Sequence, residues 1–327
     1  MIAVLGIDVA KDSLAVALLG PSTPRKRTFA NTPAGHQELL GWLSKQHLSE
    51  IHVCLEATGS YADAIAEALY DAHYPVSVVN PARIAAYAKS RLSRNKTDQA
   101  DAVLIAQFAQ SEQPARWTPP APELRELRAL VRHLDALLAQ RQAERNRQAA
   151  GPHPTAVASA LEAHLSFLDQ QIATVQQAIS EHIDQHPDLK RDRELLTSIN
   201  GIGERTATRL LAESGDRQRF ADARAWAAYA GLTPRQHHSG KSVHARTRLS
   251  KIGNAALRAA LYFPAMVAKK HNPVIRAFCE RLAARGLAPK AVIGAAMRKL
   301  LHLAYGVLKL GQPFDPARAL QDSARQA

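Results

Sequence analysis

Short apolar runs separated by turns and amphipathic stretches fill the first third of the chain. Strands are predicted, in order, at residues 2–9, 13–19, 25–30, 51–55 and 76–79. Helices are predicted at about 33–46, 60–73, 82–90 and 97–110. The resulting order is βββαβαβα.

Two long amphipathic helices are predicted after a proline-rich linker at 114–122. Their apolar residues recur at heptad spacing, along 124–138 in the first helix and 157–179 in the second. Such stripes pack either as a hairpin within the chain or against another subunit. The length and narrowness of the seams favour a coiled coil between subunits.

The elements divide the chain into three predicted parts, at residues 1–113, 114–188 and 189–327. Three antiparallel strands followed by alternating helices and strands are the order of the ribonuclease H fold. The expected class is therefore α/β plus α, with a ribonuclease H-like (RuvC-like) domain, a helical coiled-coil segment and a mainly α-helical C-terminal domain. An actin-like ATPase domain is the alternative for the first part, but it needs further glycine-rich phosphate loops, and this region has no convincing one.

The balance of charge indicates a polyanionic partner. The 327 residues include 42 Lys and Arg against 29 Asp and Glu, a formal net charge of +13. Each phosphate neutralised by a basic side chain releases a counterion, so nucleic acid is the leading candidate. A solvated basic surface or a basic membrane-surface protein is the alternative.

Other compositional features indicate the compartment. The apolar runs stay below the ~18–20 residues of a membrane span, and we expect no signal peptide before the first strand. Cys54 and Cys279 lack ligand-like spacing, so we expect buried free thiols. The expected setting is cytoplasmic and nucleoid-associated, without a membrane partner.

Four acidic residues fall where the predicted fold would bring them together. Asp8 and Glu56 end apolar strands, and Asp98 and Asp101 lie three residues apart on one face of a predicted helix. Carboxylate oxygens are the ligands that Mg²⁺ prefers, and one or two such ions assist phosphodiester cleavage. The set therefore predicts a metal-dependent catalytic site on DNA or RNA.

A second set of polar residues lies at 232–251, which is dense in basic and hydroxyl groups and poor in apolar ones. It contains Ser239, and a serine hydroxyl needs activation and electrostatic help to act as a nucleophile. From the residues alone, a basic loop that grips a nucleic-acid backbone is favoured, because Ser242, Thr247 and Ser250 are equally available hydroxyls.

A helix, a Gly-Ile-Gly turn and a second helix are predicted at 195–207. This is the form of a helix-hairpin-helix, whose turn amides face a phosphate. A tight turn within a helical domain is an equally good interpretation of so short a motif, and the net charge favours binding.

Ordered motifs run along nearly the whole chain. The first are Gly6-Ile7-Asp8-Val9-Ala10-Lys11, Glu56-Ala57-Thr58-Gly59, Asn80-Pro81, Arg94-Asn95-Lys96-Thr97-Asp98 with Asp101-Ala102, and Pro119 with Glu123-Leu124-Arg125. The later ones are Ile199 with Gly201-Ile202-Gly203, Phe220-Ala221, Ala230-Gly231-Leu232-Thr233-Pro234, Ser239-Gly240, Leu249-Ser250-Lys251 with Gly253, and Leu257-Arg258 with Leu261-Tyr262. In this order they resemble the DEDD transposases of insertion sequences of the IS110 type, a family of bridge-RNA-guided recombinases.

The resemblance implies a RuvC-like domain that holds Mg²⁺ through Asp8, Glu56, Asp98 and Asp101, and a C-terminal transposase domain whose serine attacks DNA. The matching serine is Ser239. It would form a 5′-phosphoserine linkage and release a 3′-hydroxyl, allowing strand exchange without hydrolysis. The acidic domain of one subunit would complete the site with the serine domain of another, in a dimer or tetramer. A non-coding guide (bridge) RNA would pair with donor and target DNA.

Two other functions stay open. A Mg²⁺-dependent junction nuclease would hydrolyse with water at the four acids, and a non-catalytic nucleic-acid-binding protein would use no catalytic site. His237 or His238 would bind phosphate or transfer a proton. Contacts to nucleic acid are assigned to Arg94, Lys96, Gly201, Gly203, Arg205, Arg235, His237, His238, Lys241, Arg246, Arg248 and Lys251.

Overall fold

The computed structural model describes two compact units, Met1–Pro119 and Pro120–Ala327. The residues described are 3–20, 23–48, 50–57, 59–91, 97–216, 219–239 and 243–319, and the side chains of Ser60, 236–239 and 243–247 are outside that description. The boundary between the units falls within the predicted linker at 114–122. The functional division at residues 113 and 188 stays a prediction.

The described residues of the first unit form a five-stranded mixed sheet with strand order β3-β2-β1-β4-β5. Its strands are β1 (Ala3–Val9), β2 (Ser13–Leu19), β3 (Arg25–Ala30), β4 (Ile51–Glu56) and β5 (Val76–Val79). β1, β2 and β3 pair antiparallel, whereas β4 lies parallel to both β1 and β5. The mixed sheet and the βββαβαβα order predicted for a ribonuclease H-like domain are confirmed.

Four helices accompany this sheet in the described residues. They are α1 (Pro33–Ser44), α2 (Ser60–Asp71), α3 (Pro81–Ser90) and α4 (Asp98–Glu112). Three begin with side-chain caps, in which Thr32, Asn80 and Thr97 accept hydrogen bonds from amides of the first turn. The predicted starts of α1 and α3 therefore hold to within one residue.

The two faces of the sheet are both covered. Alternate residues of β1 point to opposite faces. Leu5 and Ile7 pack in one core with α1 and α2, whereas Val4 packs in the other core with residues of α3 and α4 such as Ile105. Coverage of both faces explains why β1 and β4 read as continuous apolar runs.

The second unit begins with the helices α5 (Pro122–Ala149) and α6 (Thr155–Gln185), which pack against each other. Apolar residues of both, such as Val131 and Ile172, belong to one core shared with the later helices. The sequence favoured pairing of these seams between subunits. In the structure the buried part of each seam packs within the same chain instead.

The remaining described helices complete that core. They are α7 (Pro187–Thr197), α8 (Glu204–Ser214), α9 (Ala223–Tyr229), α10 (Ala255–Ala260), α11 (Tyr262–His271), α12 (Pro273–Ala284) and α13 (Pro289–Leu310). The sequence predicted one helix over 254–269, but the structure has two, broken at Leu261. The cause is Pro264, because in a continuous helix its ring would clash with the carbonyl of Ala260, four residues earlier. The mainly helical character of this part is confirmed.

One helix in the described part of the chain, α13, is long and apolar enough to span a membrane by length and composition, which the sequence analysis did not expect. Half of its most apolar window is buried within the protein, and Leu300, Leu301 and Ala304 are fully buried in the core of the second unit. The two cysteines are free and buried as predicted, and burial raises the pKa of Cys54 to about 12.

Candidate active site

Asp8 and Glu56 leave neighbouring parallel strands side by side. Ile7 of β1 is in register with Leu55 of β4, and the two acids are the next residue of each strand. Both are partly exposed, and strand alternation places them on the α3/α4 face of the sheet, where Cys54 is buried. The predicted convergence of the two strand-end acids is therefore built into the strand register.

Helix α4 lies directly on β1 at Gly6. A Cβ added to Gly6 would lie 2.9 Å from the Ala106 Cβ, and closer still to the Ala102 carbonyl oxygen and the Ala106 amide nitrogen. Gly6 and Asp8 share one face of β1, so α4 covers the face that carries the acid. Only glycine permits this close approach.

The first turn of α4 is fixed at the level of Asp8. The Gln99 side-chain amide donates hydrogen bonds to the Arg27 carbonyl oxygen (3.0 Å) and the Thr28 hydroxyl (2.9 Å). Thr28 pairs with Ala15, and Ala15 pairs with Asp8. The turn that carries Asp98 and Asp101 therefore starts at the acid-bearing end of the sheet.

The chemistry of these donors fits Mg²⁺, since all four are carboxylates. The distances between side chains do not yet form such a site: in the described part of the chain, no group of three or more His, Cys, Asp or Glu side chains is arranged to hold a metal ion. The metal site and its ligand set thus stay a prediction, resting on the strand register and the placement of α4. The predicted neighbours Arg94 and Lys96 lie outside the described residues.

Ser239 lies at the end of a β-hairpin, where the sequence favoured a loop. β6 (Pro234–Ser239) and β7 (Val243–Leu249) pair antiparallel, and Ser239 pairs with Val243 next to the tip. Arg235 faces Arg248 near the base, and both are exposed. His237, His238 and Arg246 also lie in the hairpin, with side chains outside the description, and Lys241 lies outside the described residues altogether.

Polar contacts anchor the base of this hairpin to the helical core. The Ser250 amide donates to the Thr233 carbonyl (2.8 Å), and the Lys251 amide donates to the Gly231 carbonyl (3.1 Å). Arg258 of α10 donates through one Nη to the carbonyls of Ala230 (3.1 Å) and Lys251 (3.2 Å). The sequence analysis quoted Arg258 only as part of a motif, and the structure gives it a role in positioning.

A buried acid, Glu213 of α8, ties the start of α10 to α5. Its carboxylate accepts hydrogen bonds from Arg132 (3.1 and 3.3 Å) and from the Asn254 side chain (2.8 Å). Burial acts to raise the pKa of Glu213, but these hydrogen bonds outweigh it and hold the pKa below its ordinary value. Asn254 also caps α10. Sequence alone could not distinguish Glu213 from an exposed helical acid.

The helix, turn and second helix of the predicted helix-hairpin-helix form are present as α7, the turn at 198–203 and α8. Gly201 has a φ of 108° and packs on α11, where an added Cβ would lie 2.7 Å from the Ala268 Cβ. The Asn272 side chain donates through Nδ2 to the Asn200 carbonyl (3.3 Å). Gly203 and Arg205 are exposed at the start of α8, as a phosphate contact would require, and that contact stays a prediction.

Comparison with known proteins places this architecture among transposases. A DEDD transposase model of the IS110 type matches residues 5–150, and a model described as "Transposase IS116/IS110/IS902 family" matches residues 193–280. The pilin gene-inverting protein of Moraxella bovis is 35% identical over 314 residues, 95% of this chain and 97% of that protein. The transposase for insertion sequence element IS1111A of Coxiella burnetii is 26% identical over 60% of each chain.

Among solved structures, RuvC of Thermus thermophilus in complex with a Holliday junction substrate aligns over its whole length with 36% of this chain. The sequence identity is 14% and the TM-score 0.29.

Proposed function

Because the chain belongs to the IS116/IS110/IS902 transposase family, whose members act on DNA, we propose that it cuts and exchanges DNA strands through Ser239 with the help of Mg²⁺ at the four acids. The observation that carries the proposal is the position of Ser239 at the end of an anchored hairpin whose base carries Arg235 and Arg248.

The serine hydroxyl attacks a backbone phosphorus in this proposal. The Oγ–P bond forms as the bond from phosphorus to the 3′ oxygen breaks, and the proton lost from Oγ is balanced by the proton gained by the 3′ oxygen. One phosphodiester replaces another, so the reverse reaction with a new 3′-hydroxyl completes an exchange without a water molecule. Basic groups beside the reacting phosphate would stabilise the charge that develops on it.

The four acids serve as a platform for the phosphate. Mg²⁺ bound there supplies neutralisation of charge on the scissile group. Asp8 and Glu56 would hold it from the strand ends, and Asp98 and Asp101 from the first turn of α4. Gly6 and Gln99 set the position of that turn.

Guidance by a non-coding RNA and assembly into a dimer or tetramer complete the proposal. The net charge of +13 suits a complex that holds both RNA and DNA. An outer surface for assembly is available on the first half of α6, where Val157 is 44% exposed and Phe167 is 54% exposed. Assembly would let the acids of one subunit meet the serine of another.

Hydrolysis by water at the four acids is the second candidate. It is favoured by the fact that Asp8, Glu56, Asp98 and Asp101 all belong to one compact unit, Met1–Pro119. In that case Ser239 would only bind DNA, and the products would carry free ends.

The covalent intermediate decides between the two candidates. Purified protein is incubated with Mg²⁺, labelled donor DNA and the RNA that copurifies with it, and adducts are separated under denaturing conditions. We expect the adduct to vanish in Ser239→Ala and persist in the matched control Ser242→Ala. An adduct with Ser239→Ala, or free 5′-phosphate ends from that variant, would refute the serine mechanism. Sequencing the copurified RNA tests guidance, because its loops should match the flanks of the element.

A further inference from the structure

Helix α11 carries an exposed apolar surface. Phe263, Met266 and Val267 follow the spacing i, i+3 and i+4, which places them on one helical face, and Phe263 is 72% exposed to solvent. The exposed ring of Tyr262 packs edge-to-face against Phe263, with 5.5 Å between the ring centroids. We call these four residues the α11 patch. Exposed apolar side chains grouped in this way mark interaction sites.

The opposite face of α11 holds the helix in the core of the second unit. Ala265 and Ala268 are fully buried there, and α11 packs against both α12 and α13. Because this face anchors the helix, the α11 patch remains at the surface of the second unit.

The α11 patch belongs to a segment without acidic residues. Residues 223–279 contain ten Lys or Arg and no Asp or Glu, so they carry a formal charge of +10. Lys269 and Lys270 are exposed in the last turn of α11, and Lys270 lies four residues after Met266, on the face of the patch. Lysines at a helix C-terminus also complement the helix dipole, but that effect does not account for a whole segment without a carboxylate. The charge favours a polyanion as the partner.

Helix α11 links two places where the sequence predicts contacts with nucleic acid. Gly201, in the turn at 198–203, packs on the C-terminal half of α11. At its other end α11 follows directly on α10, whose Arg258 donates to the Lys251 carbonyl (3.2 Å) at the base of the serine hairpin. The ten residues of α11 span about 15 Å. A strand that contacts both the turn and the hairpin base therefore has this helix on its path.

We propose that the α11 patch stacks against unpaired bases of a DNA strand whose phosphates contact Lys269 and Lys270. Aromatic rings beside basic groups hold single strands without reading their sequence. A duplex covers the faces of its bases, whereas strand exchange requires bases to leave one partner before they pair with another. DNA is the occupant because the family acts on DNA, and the unpaired state rests on the strand exchange proposed above.

A second copy of the chain is the other candidate occupant, and charge disfavours it. Two α11 helices packed face to face would bring Lys269, Lys270 and His271 of both copies together, and like charges across an interface are costly. Changes in the α11 patch should therefore leave the oligomeric state as it is.

Binding of single-stranded DNA to the full chain tests the proposal. A fluorescein-labelled thymidine strand of about 20 nucleotides is titrated without Mg²⁺, so that binding is measured apart from cleavage. Phe263→Ala is compared with Leu310→Ala, because Leu310 is also an exposed apolar residue of the second unit but lies outside residues 223–279. Two further variants separate the ring from its bulk: Phe263→Leu removes the ring, and Phe263→Tyr keeps it.

We expect Phe263→Ala and Phe263→Leu to bind the strand about 5- to 100-fold more weakly, because stacking depends on the ring. Phe263→Tyr and Leu310→Ala should bind as tightly as the unaltered chain. Normal binding by Phe263→Ala, or an equal loss on a duplex of the same length, would overturn the stacking. A larger loss on an RNA strand than on the DNA strand would overturn the choice of DNA. A changed oligomeric state of Phe263→Ala in sedimentation would assign the patch to a second copy, against the proposal.

A spectroscopic measurement covers the case in which Phe263→Ala fails to fold. A 2-aminopurine base within the thymidine strand should lose fluorescence when it stacks on the unaltered chain and should keep it with Phe263→Leu; equal quenching by both contradicts the site. Neither measurement needs Ser239 or Mg²⁺. If the Ser239 adduct forms while Phe263→Ala binds normally, only the stacking fails, whereas weakened binding without any adduct would refute the cleavage mechanism and support the patch.

Discussion

The contact between α4 and β1 makes Gly6→Ala an informative substitution. Ordinary contact starts near 3.4 Å, whereas the new Cβ would lie 2.9 Å from the Ala106 Cβ and closer to two backbone atoms of α4. Relieving all three contacts requires α4 to move by about 1 Å, because backbone atoms cannot rotate away. Overpacking of this kind costs about 1–3 kcal/mol, and a backbone clash belongs at the upper end.

The same shift would displace Asp98 and Asp101 from Asp8. A misplacement of about 1 Å in a catalytic arrangement costs up to ~100-fold in rate, so we expect Gly6→Ala to lose most DNA cleavage even where it stays folded. Stability is measured by urea unfolding of the full chain with hydrogen exchange read on peptides of β1. Cleavage is measured with the labelled donor DNA described above.

Gly41→Ala is the matched control. Gly41 lies in α1, it is exposed, and an added Cβ meets nothing within 4 Å. Alanine should stabilise this helix by about 0.5–1 kcal/mol and leave cleavage unchanged. If Gly6→Ala were as stable and as active as Gly41→Ala, the placement of α4 over the acids would be wrong.

Three further predictions concern charge and burial. Glu213→Gln should lower the free energy of unfolding by about 2–3 kcal/mol near neutral pH. Because the folded pKa of Glu213 is lowered, this loss should shrink as pH falls through that pKa. A loss that is independent of pH in urea titrations would contradict the hydrogen bonds from Arg132 and Asn254 to this carboxylate. Asp8→Asn should reduce DNA cleavage by about 100-fold or more, while Asp12→Asn, an exposed acid just past β1, should cleave normally in the same gel assay; equal losses would remove Asp8 from the site. With its pKa raised to about 12 by burial, Cys54 should resist alkylation at mildly alkaline pH until urea unfolds the first unit, and rapid labelling of the folded protein followed by mass spectrometry would show that β4 is not buried.

Much of the first unit could be predicted because its signals are local. Apolar runs such as Val4 to Ile7 fix the strands, and Thr32 and Thr97 mark helix starts through their caps. The place of Asp8 and Glu56 followed from strand order alone. Closure of the four acids into one metal site stays a prediction, because it depends on distances that no spacing rule supplies.

The second unit was harder to predict for physical reasons. The hairpin of β6 and β7 carries Arg235, Arg248 and other polar residues in place of an apolar face, so the alternation that predicts strands is missing. The stripes of α5 and α6 predicted burial but not the partner. Glu213 and Arg258 look like ordinary helical surface residues until their contacts across the fold are known.

The hairpin also acts as a lever arm. At a rise of about 3.3 Å per residue, β6 carries Ser239 roughly 17 Å from Pro234. A rotation of only about 3–4° at the base would move the serine by about 1 Å, enough to separate a reactive arrangement from an unreactive one. For the proposed nucleophile Ser239, the stiffness of the contacts that Arg258 makes at the hairpin base would therefore set how accurately the serine is positioned.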